Sequence, residues 1–197
     1  PKPPEWVSLF DGKTLKGWKG VERFDVPAGD GTGLGGKARV EDGRLLVEAG
    51  QPLSGIAYVG DPPKGDYEVS LEAMKLSGGD TFCMIQFPVG SSQCNFVASW
   101  GSNLVGFENI DELSPPESPL AHRMTFERNK WYQVRLRVAK SRLQAWIDEE
   151  KVADFPVAGH RFIVPPKWLV LKPFGLGTGS GTSAAFRNIK MRRVGGE

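Results

Sequence analysis

The chain has 197 residues, 40% hydrophobic and 24% charged, an ordinary globular composition at a length that one all-β sandwich commonly fills. Its net charge of +2 is small, and its tightest basic group, Arg187, Lys190, Arg192 and Arg193, is too short to argue for nucleic acid. No apolar run approaches the roughly 20 residues of a membrane-spanning helix.

Residues 1–5 read as a short N-terminal extension, and PKPP without a methionine resembles the start of a trimmed mature chain, compatible with export. Period-2 alternation between turn formers predicts strands at 6–10, 38–41, 44–48, 56–59, 66–76, 82–88 and 94–100. The same pattern continues at 104–108, 122–127, 131–139, 142–148, 151–155, 168–173 and 184–193. Turns are supplied by Asp11-Gly12, Asp42-Gly43, Gly60-Asp61-Pro62-Pro63 and Gly78-Gly79-Asp80. Clean helical periodicity is absent, and 25 glycines with 15 prolines fit an all-β chain rich in turns. Two antiparallel sheets packed face to face, forming one domain over residues 1–197, are the expected architecture, with long loops at 27–37 and 111–120.

Residues 131–148 predict a hairpin in register. With Lys140-Ser141 as a two-residue turn, Ala139 faces Arg142, Arg137 faces Gln144 and Arg135 faces Trp146. Leu136 then opposes Ala145 and Val134 opposes Ile147, so a slip of one residue would expose the whole apolar set. Arg135, Arg137, Gln144 and Trp146 share the other face, which is either a sugar-binding surface or a solvated face with cation–π contacts.

Cys83 and Cys94 fall on a second hairpin turning near Gly90-Ser91, with Cys94 opposite Phe87. Cys83 then lies four residues further along, about 13 Å of strand, whereas a disulfide needs Cα atoms within about 7 Å. Two buried thiols are expected. Gly31, Gly33 and Gly36 satisfy GxGxxG formally, but no helix follows to present its amides to a phosphate. His122 and His160, the only histidines, have no Cys or acidic spacing around them that marks a metal.

Glu108 and Asp111 are three apart, which on a strand directs them to opposite faces and argues against a two-carboxylate glycosidase pair. Asp148, Glu149 and Glu150 read as a solvated turn. Among six tryptophans, Trp6, Trp18, Trp131 and Trp168 sit in apolar surroundings that indicate packing, whereas Trp100 and Trp146 are placed for exposure. Gln86, Asn95 and Ser99 fall on the polar side of the 82–99 hairpin and would add amide and hydroxyl partners to a sugar surface.

WVSLFDGKTLKGW at 6–18 resembles the opening signature of the 3-keto-disaccharide hydrolase-like family, and AAFRNIKMRRV at 184–194 resembles its closing strand. KWYQVRLRVAKSRLQAWIDEEKVADF at 130–155 is similar to its penultimate hairpins. The resemblance implies a concanavalin A-like jelly roll of two curved antiparallel sheets, carbohydrate as the partner at the concave face, and a secreted or periplasmic location. In the middle of the chain, Asp80-Thr81-Phe82-Cys83 stands where many members have Asn-Ser-Gly. Asn95-Phe96-Val97-Ala98 replaces a Tyr-Glu-Val-Gln-like strand, and Gly177-Thr178-Gly179 replaces a Gln-Asp-His, so no catalytic residue carries over. The function expected is a carbohydrate-active domain with an altered site, a hydrolase or lyase, or else a lectin-like binding module without turnover. Chemistry beside a 3-keto group requires a base, for which Glu108 and His122 are the candidates. Gln86, Asn95, Trp100, Arg135, Gln144 and Trp146 are the candidate sugar-binding residues. The sequence indicates no particular cofactor, metal or oligomeric state.

Overall fold

The computed structural model describes residues 4–25, 32–113 and 122–195. The expected loops at 27–37 and 111–120, and the extension at 1–5, lie partly outside these residues. The strands are β1 Val7–Ser8, β2 Trp18–Val21, β3 Arg23–Asp25, β4 Thr32–Leu34, β5 Ala38–Glu41 and β6 Arg44–Val47. They continue as β7 Leu53–Tyr58, β8 Tyr67–Ser77, β9 Cys83–Val89, β10 Ser92–Trp100, β11 Leu104–Glu108 and β12 His122–Arg123. The last are β13 Trp131–Val138, β14 Arg142–Ile147, β15 Glu150–Pro156, β16 Gly175–Gly179 and β17 Ser183–Arg193.

Two antiparallel sheets face each other. Sheet I runs β15-β14-β13-β8-β17-β6-β5, with β1 also paired to β17. Sheet II runs β12-β11-β10-β9-β16-β7-β2, and β3 with β4 forms a small separate ribbon. The architecture is the all-β, concanavalin A-like sandwich. One core lies between the sheets, where Val69, Leu71, Val134, Leu136 and Phe186 from sheet I meet Ile85, Phe87, Phe96 and Leu176 from sheet II. Period-2 alternation produces this, because every second residue of a strand turns to the same side.

The 131–148 hairpin has the expected register: Val134 pairs with Ile147, Arg135 with Trp146, Leu136 with Ala145 and Arg137 with Gln144. Ala139 N donates to Arg142 O at 2.9 Å across the turn. In the 83–100 hairpin Cys94 pairs with Phe87 and Cys83 with Ala98, and both cysteines are free and buried.

Several expectations are corrected: residues 6–10 are strand only over Val7–Ser8, and the loop expected at 27–37 contains β4. Residues 122–127 are strand only over β12. Residues 168–173 are not a strand but belong to a 3-10 helix, Pro166–Leu171. The apolar run WLVL imitates a buried strand, but Pro165 and Pro166 before it and Pro173 after it withhold the ladder donors a strand needs. Conversely GLGTG, which alternation leaves out of the expected strands, is β16, and its glycines have a steric reason. The helix is seated on sheet II so closely that a Cβ at Gly177 would come within 2.9 Å of Leu171 Cδ1. A Cβ at Gly55, opposite on β7, would come within 2.5 Å of Leu171 Cδ2. The bare strands make the seat for the helix, and the helix helps to wall the cavity described next.

A candidate active site on the outer face of sheet II

Beside the 3-10 helix, on the side of sheet II away from the core, lies a cavity of about 270 Å3. Its principal walls are Asp80, Met84, Asn95, Trp100, Glu108 and Trp168. Strand alternation explains most of the set. On β10, Cys94, Phe96 and Ala98 point into the core, so Asn95 points outward, directly opposite Glu108 on β11. A β-bulge then resets the alternation: Ser99 adopts φ +72°, and the register shifts between Ala98 and Trp100. Bulges commonly re-aim a side chain in this way. Ser99 is thereby fully buried, with its Oγ 3.4 Å from Lys75 Nζ, so it does not join the polar face as the sequence implied. Trp100 turns to the cavity instead.

The cavity floor is a relay of amides. Gln86 Nε2 donates to Asn95 Oδ1 at 3.0 Å and to Trp168 O at 2.9 Å, while Gln86 Oε1 accepts from Leu171 N at 3.2 Å. With its oxygen engaged, Asn95 offers Nδ2 to Glu108 Oε2 at 3.4 Å. Glu108 has its pKa pushed up to about 7, chiefly because the cavity desolvates its carboxylate. Donation from Asn95 opposes that rise and the charge of Asp80 adds to it. Asp80 is held by backbone amides, with Oδ1 accepting from Thr81 N at 2.8 Å and from Gly101 N, in the β10–β11 turn, at 3.4 Å. Thr81 Oγ1, on the same wall, is buried without a partner among the described residues. The arrangement presents a carboxyl poised near neutrality, a second carboxylate and two indoles around a space suited to a small polar ring. Among the described residues no group of three or more His, Cys, Asp or Glu is gathered to hold a metal.

The 3-keto-alpha-glucoside-1,2-lyase-like domain model matches residues 5–192. The chain belongs to this family. Comparison with curated proteins returned no match. Among solved structures, the carbohydrate recognition domain of Emp47p has a TM-score of 0.60 at 12% identity, covering 97% of each chain. The VIP36 exoplasmic/lumenal domain, in a Ca2+/Man3GlcNAc-bound form, has a TM-score of 0.59 at 9% identity, covering 100% of this chain and 92% of that one. A glycosyl hydrolase family protein from Mycobacterium fortuitum has a TM-score of 0.57 at 11% identity, covering 97% of this chain and 100% of that one. At such identities these likenesses concern the fold. Family and fold together make this a carbohydrate-related, glycosyl hydrolase-like β-sandwich domain.

In this lyase-like domain the sequence candidates divide between places. Gln86, Asn95, Trp100 and Glu108 come together in and beneath the cavity. His122 does not line it; it pairs with Val105 at the edge of sheet II, and its Nε2 lies 3.0 Å from Glu150 Oε1. Arg135, Gln144 and Trp146 are on the outer face of sheet I, across the sandwich from the cavity. There Arg135 stacks over the Trp146 ring at 3.8 Å, and Gln144 Nε2 donates to Asp154 Oδ2 at 3.0 Å. Asp111 diverges from Glu108, as spacing required, and binds His160 Nδ1 at 2.6 Å. Asp80 and Trp168 were not foreseen as cavity residues. Asp80 hides in a turn-forming Gly-Gly-Asp, and Trp168 hides in an apolar run that reads as packing.

Proposed function

We propose that this domain is a lyase for glycosides whose ring carries a carbonyl beside the carbon bearing the abstracted proton, with Glu108 as the base. In a 3-keto-glucoside the C2 proton is acidified by the C3 carbonyl, and the C1–O bond lies β to it. Removal of that proton by Glu108 forms a C1=C2 double bond and breaks the C1–O bond; the departing oxygen takes up a proton, which Glu108 can return. A base serves best when its pKa lies near the working pH, and the observation that carries the reading is Glu108, raised to about 7 in a cavity walled by Trp100 and Trp168. The indoles would hold the sugar ring by its CH faces. Export to a secreted or periplasmic location belongs to the same reading.

The test is incubation with a 3-keto-α-glucoside, following the unsaturated sugar by absorbance and NMR. Turnover that Glu108→Gln abolishes, with binding retained, supports the proposal. Saturable binding with no turnover would overturn it and leave the lectin-like module as the function, a role that Trp100, Trp168 and Asn95 also suit.

A further inference from the structure

On the opposite side of the sandwich, the outer face of sheet I holds an open trough of about 410 Å3, larger than the Glu108 cavity at about 270 Å3. Its chemistry comes from Trp6, Ser70, Glu72, Gln133, Asn188 and Lys190. A second β-bulge assembles it. The β17 register shifts between Arg187 and Lys190, and Asn188 takes φ +53°. Ile189 is thereby buried in the core, while Arg187 and Asn188 both meet Glu72 and Lys190 stands opposite Ser70. Bulges recur where a sheet re-aims side chains for binding.

Glu72 is a fixed acceptor. Arg187 grips it through Nε at 3.2 Å and Nη2 at 3.0 Å, Asn188 donates to it as well, and together they hold its carboxyl below the usual range against some desolvation. Ser70 is only 3% exposed and lines the trough. Trp6 supplies an apolar wall, with Lys190 Nζ 5.1 Å and Arg192 Cζ 4.6 Å from its ring centre.

We propose that this trough is a second carbohydrate-binding site, separate from the Glu108 cavity, that takes one neutral pyranose unit of an oligosaccharide. An aromatic wall beside donors and acceptors of both signs matches a ring with CH patches and vicinal hydroxyls. The trough carries the Glu72 carboxylate and the Lys190 ammonium together, opposite charges that favour neither an anionic nor a cationic sugar, and the Arg187 guanidinium is already engaged by Glu72. The site lets the domain hold a chain on one face while the other face works on a terminal unit.

The experiment is an amide NMR titration of the full chain with maltose and with maltoheptaose, neutral glucose oligomers. Saturable shifts are expected at Ser70, Glu72, Gln133 and Lys190, and Glu108→Gln keeps them. Losing a hydrogen bond or a stacking wall costs about 1–2 kcal/mol, so Ser70→Val and Trp6→Ala weaken that binding about tenfold. Gln133→Ala, at an exposed position that leaves folding intact, weakens it in the same direction. Shifts confined to the Glu108 cavity, no saturable shift with either sugar, or unchanged affinity in Gln133→Ala and Trp6→Ala would overturn the proposal. None of these outcomes depends on turnover at Glu108.

Discussion

Asn95 stands directly across the β10–β11 ladder from Glu108, and its Nδ2 donates to Glu108 Oε2 at 3.4 Å. The orientation of that amide is inherited. Gln86 occupies Asn95 Oδ1, and Gln86 is itself anchored to backbone groups of the 3-10 helix at Trp168 and Leu171. The helix that covers sheet II therefore helps to set the protonation of the candidate base through two buried amides.

Replacing Asn95 by Leu removes a hydrogen bond that lowers the Glu108 pKa. Glu108 should then titrate above about 7, read as the midpoint of its side-chain carboxyl in a 13C NMR titration. Gln86→Leu should move the midpoint in the same direction, because Asn95 loses its orienting partner. It also strands Leu171 N, a buried donor whose loss of partner costs about 1–3 kcal/mol of stability. A midpoint unmoved in Asn95→Leu would show that the amide does not govern this carboxyl.

The raised Glu108 pKa carries two opposite pH signatures. The unfolded chain loses this proton near the ordinary value of 4.5, whereas the folded protein keeps it to about 7. Between those values the native state binds more protons, so stability falls as pH rises through the window and levels off above it. The full effect is at most roughly 3 kcal/mol, and Glu108→Gln should remove that slope in denaturant titrations from pH 4 to 8. Turnover behaves the other way. A base must be deprotonated, so kcat/KM should climb about tenfold per pH unit below the pKa of about 7 and plateau above it.

Two glycines on β16 should fail differently when changed to alanine. A Cβ at Gly179 would lie 2.6 Å from Asp80 Oδ2 and 3.2 Å from Asp80 Cβ, so the side chain must shift against its hydrogen bonds from Thr81 N and Gly101 N. Gly179→Ala should therefore displace Asp80 and alter the rate, with a smaller loss of Tm than a clash with packed backbone brings. At Gly177 the added atom meets Leu171 Cδ1 at 2.9 Å and Ser54 O at 2.9 Å. Gly177→Ala should push the 3-10 helix off its seat and cost about 1–3 kcal/mol, the usual range for overpacking. Equal thermal loss in both variants would contradict the distinction.

These glycines show where sequence reading stops. Alternation placed the 131–148 and 83–100 hairpins in their correct registers, because a shifted pairing would have exposed every apolar residue. The same rule put Gln86 and Asn95 on one face. It could not place Trp100, because the Ser99 bulge breaks the period that the rule assumes. Nor could it identify β16 as a strand, since its glycines are explained by a helix lying above them and by no feature of their own segment. Asp80 and Trp168 reach the cavity from a turn and a 3-10 helix far apart in the chain. The joining of Arg135, Gln144 and Trp146 to the cavity group failed for a simpler reason: alternation defines a face within one sheet but does not say which sheet.

Cys83 and Cys94 should be inert toward thiol reagents in the folded protein. Both are wholly buried, and desolvation pushes Cys83 up to about 12 and Cys94 well above its ordinary value. Alkylation requires the thiolate, so labelling followed by mass spectrometry should track global unfolding. Fast modification of Cys94 at neutral pH would mean that β10 and β11 separate locally, since its Sγ lies 3.4 Å from Glu108 O.

The Arg135–Trp146 pair on sheet I should prove structural. Arg135 covers one region of the indole at 3.8 Å and sits 3.8 Å from Glu68, while Lys151 approaches the same ring at 5.7 Å. The guanidinium is in contact with the ring, and Trp146 lines neither the Glu108 cavity nor the sheet I trough. Trp146→Ala removes these contacts and the packing beneath them, and about 1–2 kcal/mol of stability should be lost. Turnover at Glu108 should be unaffected, because Trp146 lies on the other sheet. The comparison that decides it pairs denaturant melts with kinetics for Trp146→Ala and Trp100→Ala. Trp100→Ala should raise KM, since that ring walls the cavity, and a higher KM in Trp146→Ala instead would return the hairpin face to the candidate site.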